Sequence, residues 1–126
     1  MVEDSHRNLW VGTDDGGLNR YNRQTDDFTR FDVIPEGVIS LSAGRSVRGL
    51  LFDHSGRLLV NVTGYGVVVY DPQNVSFKPL MLQEGGTPIG GHFGWKMFED
   101  SQKILWVGTE REGVIRYDFE LSLIHI

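Results

Sequence analysis

The chain has 126 residues, a formal net charge of -5 and no cysteine. An acidic chain of this kind argues against nucleic acid and anionic membrane surfaces as partners, because phosphate groups are bound by clustered Lys and Arg. The lack of cysteine excludes disulfide bonds, thiolate metal sites and a cysteine nucleophile.

The first part of the chain alternates short strands with polar turns. In the segment LWVGT at 9–13, alternation with a period of two places Leu9 and Val11 on one face of a strand and Trp10 and Gly12 on the other. Two glycines then provide a tight turn, and the next strand ends at Tyr21. A polar turn and a short outer strand follow, so this region is predicted to be an antiparallel meander.

The same pattern returns twice farther along the chain. Leu9, Leu58 and Leu105 are separated by 49 and 47 residues. Three further landmarks keep these spacings: Asp4, Asp53 and Asp100; Gly17, Gly66 and Gly113; and Tyr21, Tyr70 and Tyr117. A repeat of about 50 residues with strand-like content is typical of propeller blades. The sequence therefore predicts an all-β fold, a fragment of a β-propeller with about two and a half four-stranded antiparallel blades and essentially no helix.

The blade boundaries are expected where the chain crosses from one blade to the next. A partial blade is predicted at 1–35, a complete blade at 36–84 and a partial blade at 85–120, with crossings marked by Pro35, Gly37 and Pro88. The predicted strands are 9–13, 18–21, 28–31, 47–52, 57–62, 66–70, 77–81, 95–99, 105–109 and 113–117. Because a propeller closes with about four to eight blades, we expect the chain to be a segment of a longer protein that contains the remaining blades.

The last six residues, LSLIHI at 121–126, break the repeat pattern. In the first two repeats a polar turn separates the tyrosine from the outer-strand phenylalanine, whereas the chain turns apolar soon after Tyr117. The hexapeptide also resembles the translated end of a transposon adapter used in sequencing libraries. We interpret 121–126 as a scar of that origin, although its apolar pattern alone would predict an outer strand.

Side chains that carry chemistry in other proteins have structural explanations in this sequence. Trp10 and Trp106 stand at one repeat position, which favours packing between blades over stacking on a sugar. The repeated carboxylates Asp4, Asp53 and Asp100 favour hydrogen bonds to turn amides over metal binding. The four histidines, which lack the spacing of metal ligands, are His6, His54, His92 and His125. No catalytic residue, metal site or cofactor is therefore predicted.

Two of the repeats resemble the two-component regulator propeller repeat, whose hallmark is Glu-Asp, a short turn, Leu-Trp-Val-Gly-Thr, Gly-Gly-Leu and Arg-Tyr-Asp. Residues 3–21 and 99–118 match it closely, while Leu59 and Asn61 depart from it in the middle repeat. The resemblance implies the periplasmic sensor region of a bacterial hybrid two-component histidine kinase. In such a protein, segments outside this chain supply an inner-membrane anchor and the kinase domain. The resemblance further implies a small-molecule or oligosaccharide ligand and allows a homodimer.

The function expected from this resemblance is ligand sensing, without an enzymatic activity in this segment. The candidate ligand-binding residues, which precede or begin inner strands near the axial loop face, are Arg45, Arg48, His92 and Trp95. Guanidinium groups suit hydroxyls or a uronate, and an indole offers an apolar face. Two alternatives stay open: a fragment of a propeller lyase or hydrolase, and a protein-interaction scaffold. Acid and base residues converging on the axial channel would favour the enzyme, and a membrane span followed by a kinase would favour the sensor.

Overall fold

The structure is a computed structural model that describes residues 1–14, 16–31, 46–62, 65–79, 94–109, 113–118 and 123–125. Within these ranges the chain forms strands and turns and no helix, so there is no helix long and apolar enough to cross a membrane. The predicted fold class is confirmed.

Three four-stranded antiparallel sheets, called blades one to three below, follow one another along the chain. Blade one consists of β1 (Val2–Glu3), β2 (Leu9–Gly12), β3 (Leu18–Asn22) and β4 (Asp27–Phe31). Blade two consists of β5 (Val47–Phe52), β6 (Leu58–Val62), β7 (Gly66–Asp71) and β8 (Ser76–Pro79). Blade three consists of β9 (Gly94–Glu99), β10 (Ile104–Thr109), β11 (Val114–Asp118) and β12 (Leu123–His125). Each strand pairs with the next one in sequence, so every blade is a simple meander.

The predicted blade boundaries fall largely outside the described residues, since 32–45 and 80–93 contain both crossings. The final segment contributes β12, which pairs with β11 through Arg116 and His125, Tyr117 and Ile124, and Asp118 and Leu123. Backbone pairing of this kind requires only an extended chain. The boundaries and the adapter origin of 121–126 therefore stay predictions.

Two apolar clusters hold the blades together face to face. The first cluster lies between blades one and two and includes Trp10, Leu18 and Val60. The second lies between blades two and three and includes Leu59 and Leu105. Fully burying an aliphatic side chain stabilises a fold by about 1.5–3 kcal/mol, so these contacts between blades are the main source of stability.

The middle blade is the most completely buried because it has a neighbour on each face. Every residue of β6 is buried. Its Leu58, Val60 and Val62 face blade one, and Leu59 between them faces blade three. A strand that is apolar on both faces is the pattern expected for a sheet packed between two others.

Blades one and two approach closely at one end of β2. The backbone N–H of Val47 donates to the carbonyl oxygen of Thr13 at 2.8 Å. A Cβ atom at Gly12 would lie 2.7 Å from both Cγ1 and the carbonyl oxygen of Val47. The repeated glycine of the motif is therefore required here by contact with the next blade.

Candidate functional site

The structure describes two of the four predicted ligand-binding residues. Arg48 lies in β5 and its side chain is exposed, and Trp95 lies in β9. Arg45 and His92 lie outside the described residues. β5 and β9 are the first strands of their blades and contact each other, as the inner strands of a propeller do.

Arg48 and Trp95 occupy equivalent irregularities in these two inner strands. The pairing of β5 with β6 passes from Val47 opposite Val62 to Gly49 opposite Asn61, so Arg48 is an extra residue. The pairing of β9 with β10 shifts in the same way. Between the pairs Gly94–Thr109 and Met97–Val107, two residues of β9 lie opposite one residue of β10. The two positions are 47 residues apart, which is the repeat spacing. A β-bulge re-aims a side chain and is frequent beside functional sites.

The start of β5 is fixed to the neighbouring blade by two polar contacts. Ser46 Oγ donates to Asp14 Oδ1 at 3.0 Å, and the N–H of Val47 donates to Thr13. Both acceptors belong to the turn between β2 and β3. Arg48 therefore follows directly after a segment that the adjacent blade holds in place, which suits a preorganised binding position.

Asn61 is a further polar residue of this region that sequence reasoning missed. It is fully buried, and neither its amide nitrogen nor its amide oxygen has a hydrogen-bond partner among the described residues. Its register partner is Gly49, the neighbour of the bulged Arg48. A buried amide without partners costs about 1–3 kcal/mol, so an unexplained polar group of this kind indicates a water or ligand contact. One signal in the sequence could have identified this residue: Asn61 stands where the other two repeats have glycine, Gly12 and Gly108.

The repeated aspartates stabilise turns, as predicted. Asp4 Oδ1 accepts hydrogen bonds from the backbone N–H groups of His6 at 2.8 Å and Asn8 at 2.9 Å. Asp100 Oδ1 accepts the equivalent bonds from Gln102 and Ile104. These bonds account for the repetition of the carboxylate at this position of the turn.

The repeated tryptophans complete these turns with a second hydrogen bond. The indole Nε1 of Trp10 donates to Asp4 Oδ2 at 3.0 Å, and that of Trp106 donates to Asp100 Oδ2 at 2.9 Å. The bond from Trp106 is the largest cause of the lowered pKa of Asp100. Trp10 is also buried against blade two, so its predicted packing role is confirmed.

Blade two uses a different donor for the same acceptor. Leu59 stands where the other blades have tryptophan, and Arg57 Nε donates to Asp53 Oδ2 at 2.8 Å instead. The backbone N–H groups of Ser55 and Arg57 supply the two bonds to Asp53 Oδ1. The replacement of tryptophan in the middle repeat is thus compensated by a guanidinium group.

Comparison with known proteins gives a fold but no sequence family. No protein-family profile and no curated protein matches the sequence. A solved structure described as the extracellular domain of the hybrid two component system BT4673 from B. thetaiotaomicron superposes on 98% of this chain with a TM-score of 0.82 and 19% identity. A second structure of a BT4673 extracellular domain, described there as a one component system, superposes on 98% of the chain with a TM-score of 0.80 and 19% identity.

The chain has the fold of part of these extracellular domains. It spans 17% of the length of each of those solved chains. At this level of identity the likeness shows a shared fold.

Proposed function

We propose that this chain is a ligand-sensing segment of the extracellular, periplasmic part of a bacterial two-component sensor, and that its ligand is carbohydrate-like. The observation that carries the proposal is the repeated bulge, which puts Arg48 and Trp95 at equivalent positions on two contacting inner strands. The likeness to the BT4673 extracellular domains supports the sensor role.

The chemistry of these positions suits a hydroxyl-rich ligand. A guanidinium group such as that of Arg48 donates several hydrogen bonds and pairs with a carboxylate in a bidentate fashion. An indole such as that of Trp95 provides an apolar face for a ring. The amide of Asn61 offers both donors and an acceptor. An oligosaccharide, neutral or containing a uronate, combines the groups that these side chains recognise.

Signalling from this site requires a difference in affinity between two states of the sensor. A ligand shifts a conformational equilibrium only by as much as it prefers one state over the other. Arg48 belongs to blade two and Trp95 to blade three. A ligand held by both would favour the arrangement in which these inner strands are at binding distance. An inner-membrane anchor and a histidine kinase domain in the whole protein are parts of this proposal.

The proposal is tested in the complete sensor with Arg48→Ala and Trp95→Ala. Each variant is expected to reduce oligosaccharide-induced transcription about fivefold or more, since losing one good polar or aromatic contact costs roughly 1–3 kcal/mol. Arg30→Ala and Phe28→Ala, both on the outer strand β4, are matched controls that should respond normally. Normal induction in both test variants, at normal protein levels, would remove these residues from the site.

A further inference from the structure

Three side chains meet where blades two and three adjoin, at the end of the inner strands opposite the bulges. Asp53 and His54 begin the turn that follows β5, and Glu99 is the last residue of β9. His54 Nδ1 lies 3.0 Å from Glu99 Oε2. One nitrogen or oxygen atom from each of the three residues lies within 4.8 Å of the other two.

Both carboxylates of this cluster are largely withdrawn from water. The side chain of Asp53 is 0% exposed and that of Glu99 is 12% exposed. Arg57 supplies one positive charge and directs it to Asp53 Oδ2. The imidazole Nδ1 of His54 is hydrogen-bonded to Glu99 Oε2. Charges that are removed from water are normally paired or bound to a metal, and a cation at this cluster would lie beside two such carboxylates.

We propose that Asp53, His54 and Glu99 form a binding site for a divalent cation of the Zn²⁺ class, which fastens blade two to blade three. An imidazole with two carboxylates is a donor set that Zn²⁺ accepts. Tetrahedral ligands about 2.1 Å from zinc lie roughly 3.4 Å apart. His54 Nδ1 and Glu99 Oε2 are hydrogen-bonded at 3.0 Å, near that separation, and a bound cation would replace the proton between them.

The surroundings of Asp53 hold its carboxylate in a fixed orientation. Its Oδ1 accepts two backbone N–H groups at 2.9 Å, and its Oδ2 accepts Arg57 Nε at 2.8 Å. Each carboxylate oxygen has two lone pairs, so Oδ2 keeps one for a cation. Outer hydrogen bonds of this kind orient metal ligands.

The repeat provides an internal comparison. At the position of His54 the other two blades have serine, Ser5 and Ser101, and at the position of Glu99 blade two has Phe52. At the equivalent place between blades one and two, the residues are therefore Asp4, Ser5 and Phe52. Between blades two and three they are the proposed ligands Asp53, His54 and Glu99. The cation site is a feature of one pair of blades, added to a turn that all three share.

The test uses the complete extracellular propeller that contains this chain, stripped of metal with a chelator, and Zn²⁺ as the probe. His54→Ser introduces the residue that the other repeats carry, so the turn should fold normally. Glu99→Gln keeps the shape of the second ligand and removes its charge. His6→Ser, in the equivalent turn of blade one, is the control.

By calorimetry, the wild-type protein and His6→Ser are expected to bind one Zn²⁺. His54→Ser and Glu99→Gln should bind this ion at least about tenfold more weakly. Zinc should raise the melting temperature of the wild type by a few degrees more than that of either test variant. Co²⁺ should give visible absorption bands that the two test variants lose.

Equal zinc affinity and equal zinc-induced melting shifts in all four proteins would overturn the proposal. So would an effect of His54→Ser on stability without any response to zinc, which would indicate an ion pair only. Since the readout is metal binding, the outcome is independent of the sensing role proposed above.

Discussion

At the scale of single residues, each blade fixes its first turn with one buried or half-buried aspartate. The two backbone N–H groups that it accepts are the same in every blade, and the donor to its second oxygen varies. Trp10 and Trp106 are donors in the outer blades, and Arg57 is the donor in the middle blade. The hydrogen-bonding arrangement of the aspartate is thus the same in each blade, while the side chain that donates to its second oxygen differs.

Replacing Trp106 by Phe tests this hydrogen bond through its effect on Asp100. Loss of the indole N–H should raise the pKa of Asp100 toward its ordinary value, because that bond is the largest cause of the lowered pKa. A carboxyl whose pKa is lowered by folding stabilises the protein above its unfolded pKa, and this contribution is lost as the pH falls through its folded pKa. Trp106→Phe should therefore reduce stability at neutral pH, and the difference from wild type should become smaller in acid, where the contribution of Asp100 is lost.

The measurements are an NMR titration of the Asp100 carboxyl carbon and urea unfolding at neutral and acidic pH in the complete propeller. Trp10→Phe is the matched control, since it removes the equivalent bond to Asp4 and should leave the pKa of Asp100 unchanged. An unchanged Asp100 titration in Trp106→Phe would show that the indole bond has no such effect.

At the scale of elements, the second strand of blade one is shaped by the inner strand of blade two. Gly12 has no space for a side chain because Val47 is in contact, whereas a Cβ at Gly108 would have, among the described residues, only the Lys96 carbonyl oxygen within 4 Å, at 3.8 Å. The repeated glycines Gly17, Gly66 and Gly113 all have positive φ, of 71°, 137° and 75°. Glycine is thus needed for contact in one strand and for backbone conformation in the turns.

The two requirements for glycine predict different costs for Gly12→Ala and Gly113→Ala. Gly12→Ala should lower the free energy of unfolding by about 3 kcal/mol, near the upper end for overpacking, since backbone as well as side chain blocks the new methyl group. The new methyl group in Gly113→Ala would meet no atom of the described part of the chain within 4 Å, so this change should cost only about 1 kcal/mol for its left-handed backbone. Chemical denaturation of the complete propeller measures both.

A second substitution identifies the cause of the loss. Val47→Ala removes one of the two groups nearest to the new methyl group and should recover part of the stability lost in Gly12→Ala. The explanation would be wrong if the two glycine variants were equally destabilised, or if Val47→Ala only added to the loss.

At the scale of the whole molecule, the outer face of blade three repeats the face by which blade one binds blade two. Phe98 and Val114 are 63% and 55% exposed, and their equivalents in blade one, Val2 and Leu18, pack against blade two. Trp106 is the equivalent of the buried Trp10. In a repeat protein such a face is stabilised by the next repeat.

Residues 1–126 expressed alone are therefore expected to aggregate or to remain partly unfolded. Exposed apolar faces and unpaired strand edges both promote association. The measurements are light scattering, binding of a hydrophobic dye and the cooperativity of thermal unfolding, with the complete propeller as the control. A monomer with low dye binding and a sharp melting transition would contradict this expectation.

The sequence determined the local structure of this protein. Strand positions, the turn glycines and the roles of Asp4 and Asp100 follow from periodicity and from hydrogen bonds between residues a few positions apart. Such interactions recur with the repeat, so the landmarks at Leu9 and Leu105 were enough to place them.

The tertiary structure alone decided what meets between blades. The equivalence of the bulges at Arg48 and Trp95 depends on register shifts that residue spacing does not reveal. The unpartnered amide of Asn61 became visible only once its strand was buried on both faces. His54 and Glu99 are 45 residues apart and meet because neighbouring blades pack face to face. Packing between distant segments creates these contacts, and no short-range pattern in the chain encodes them.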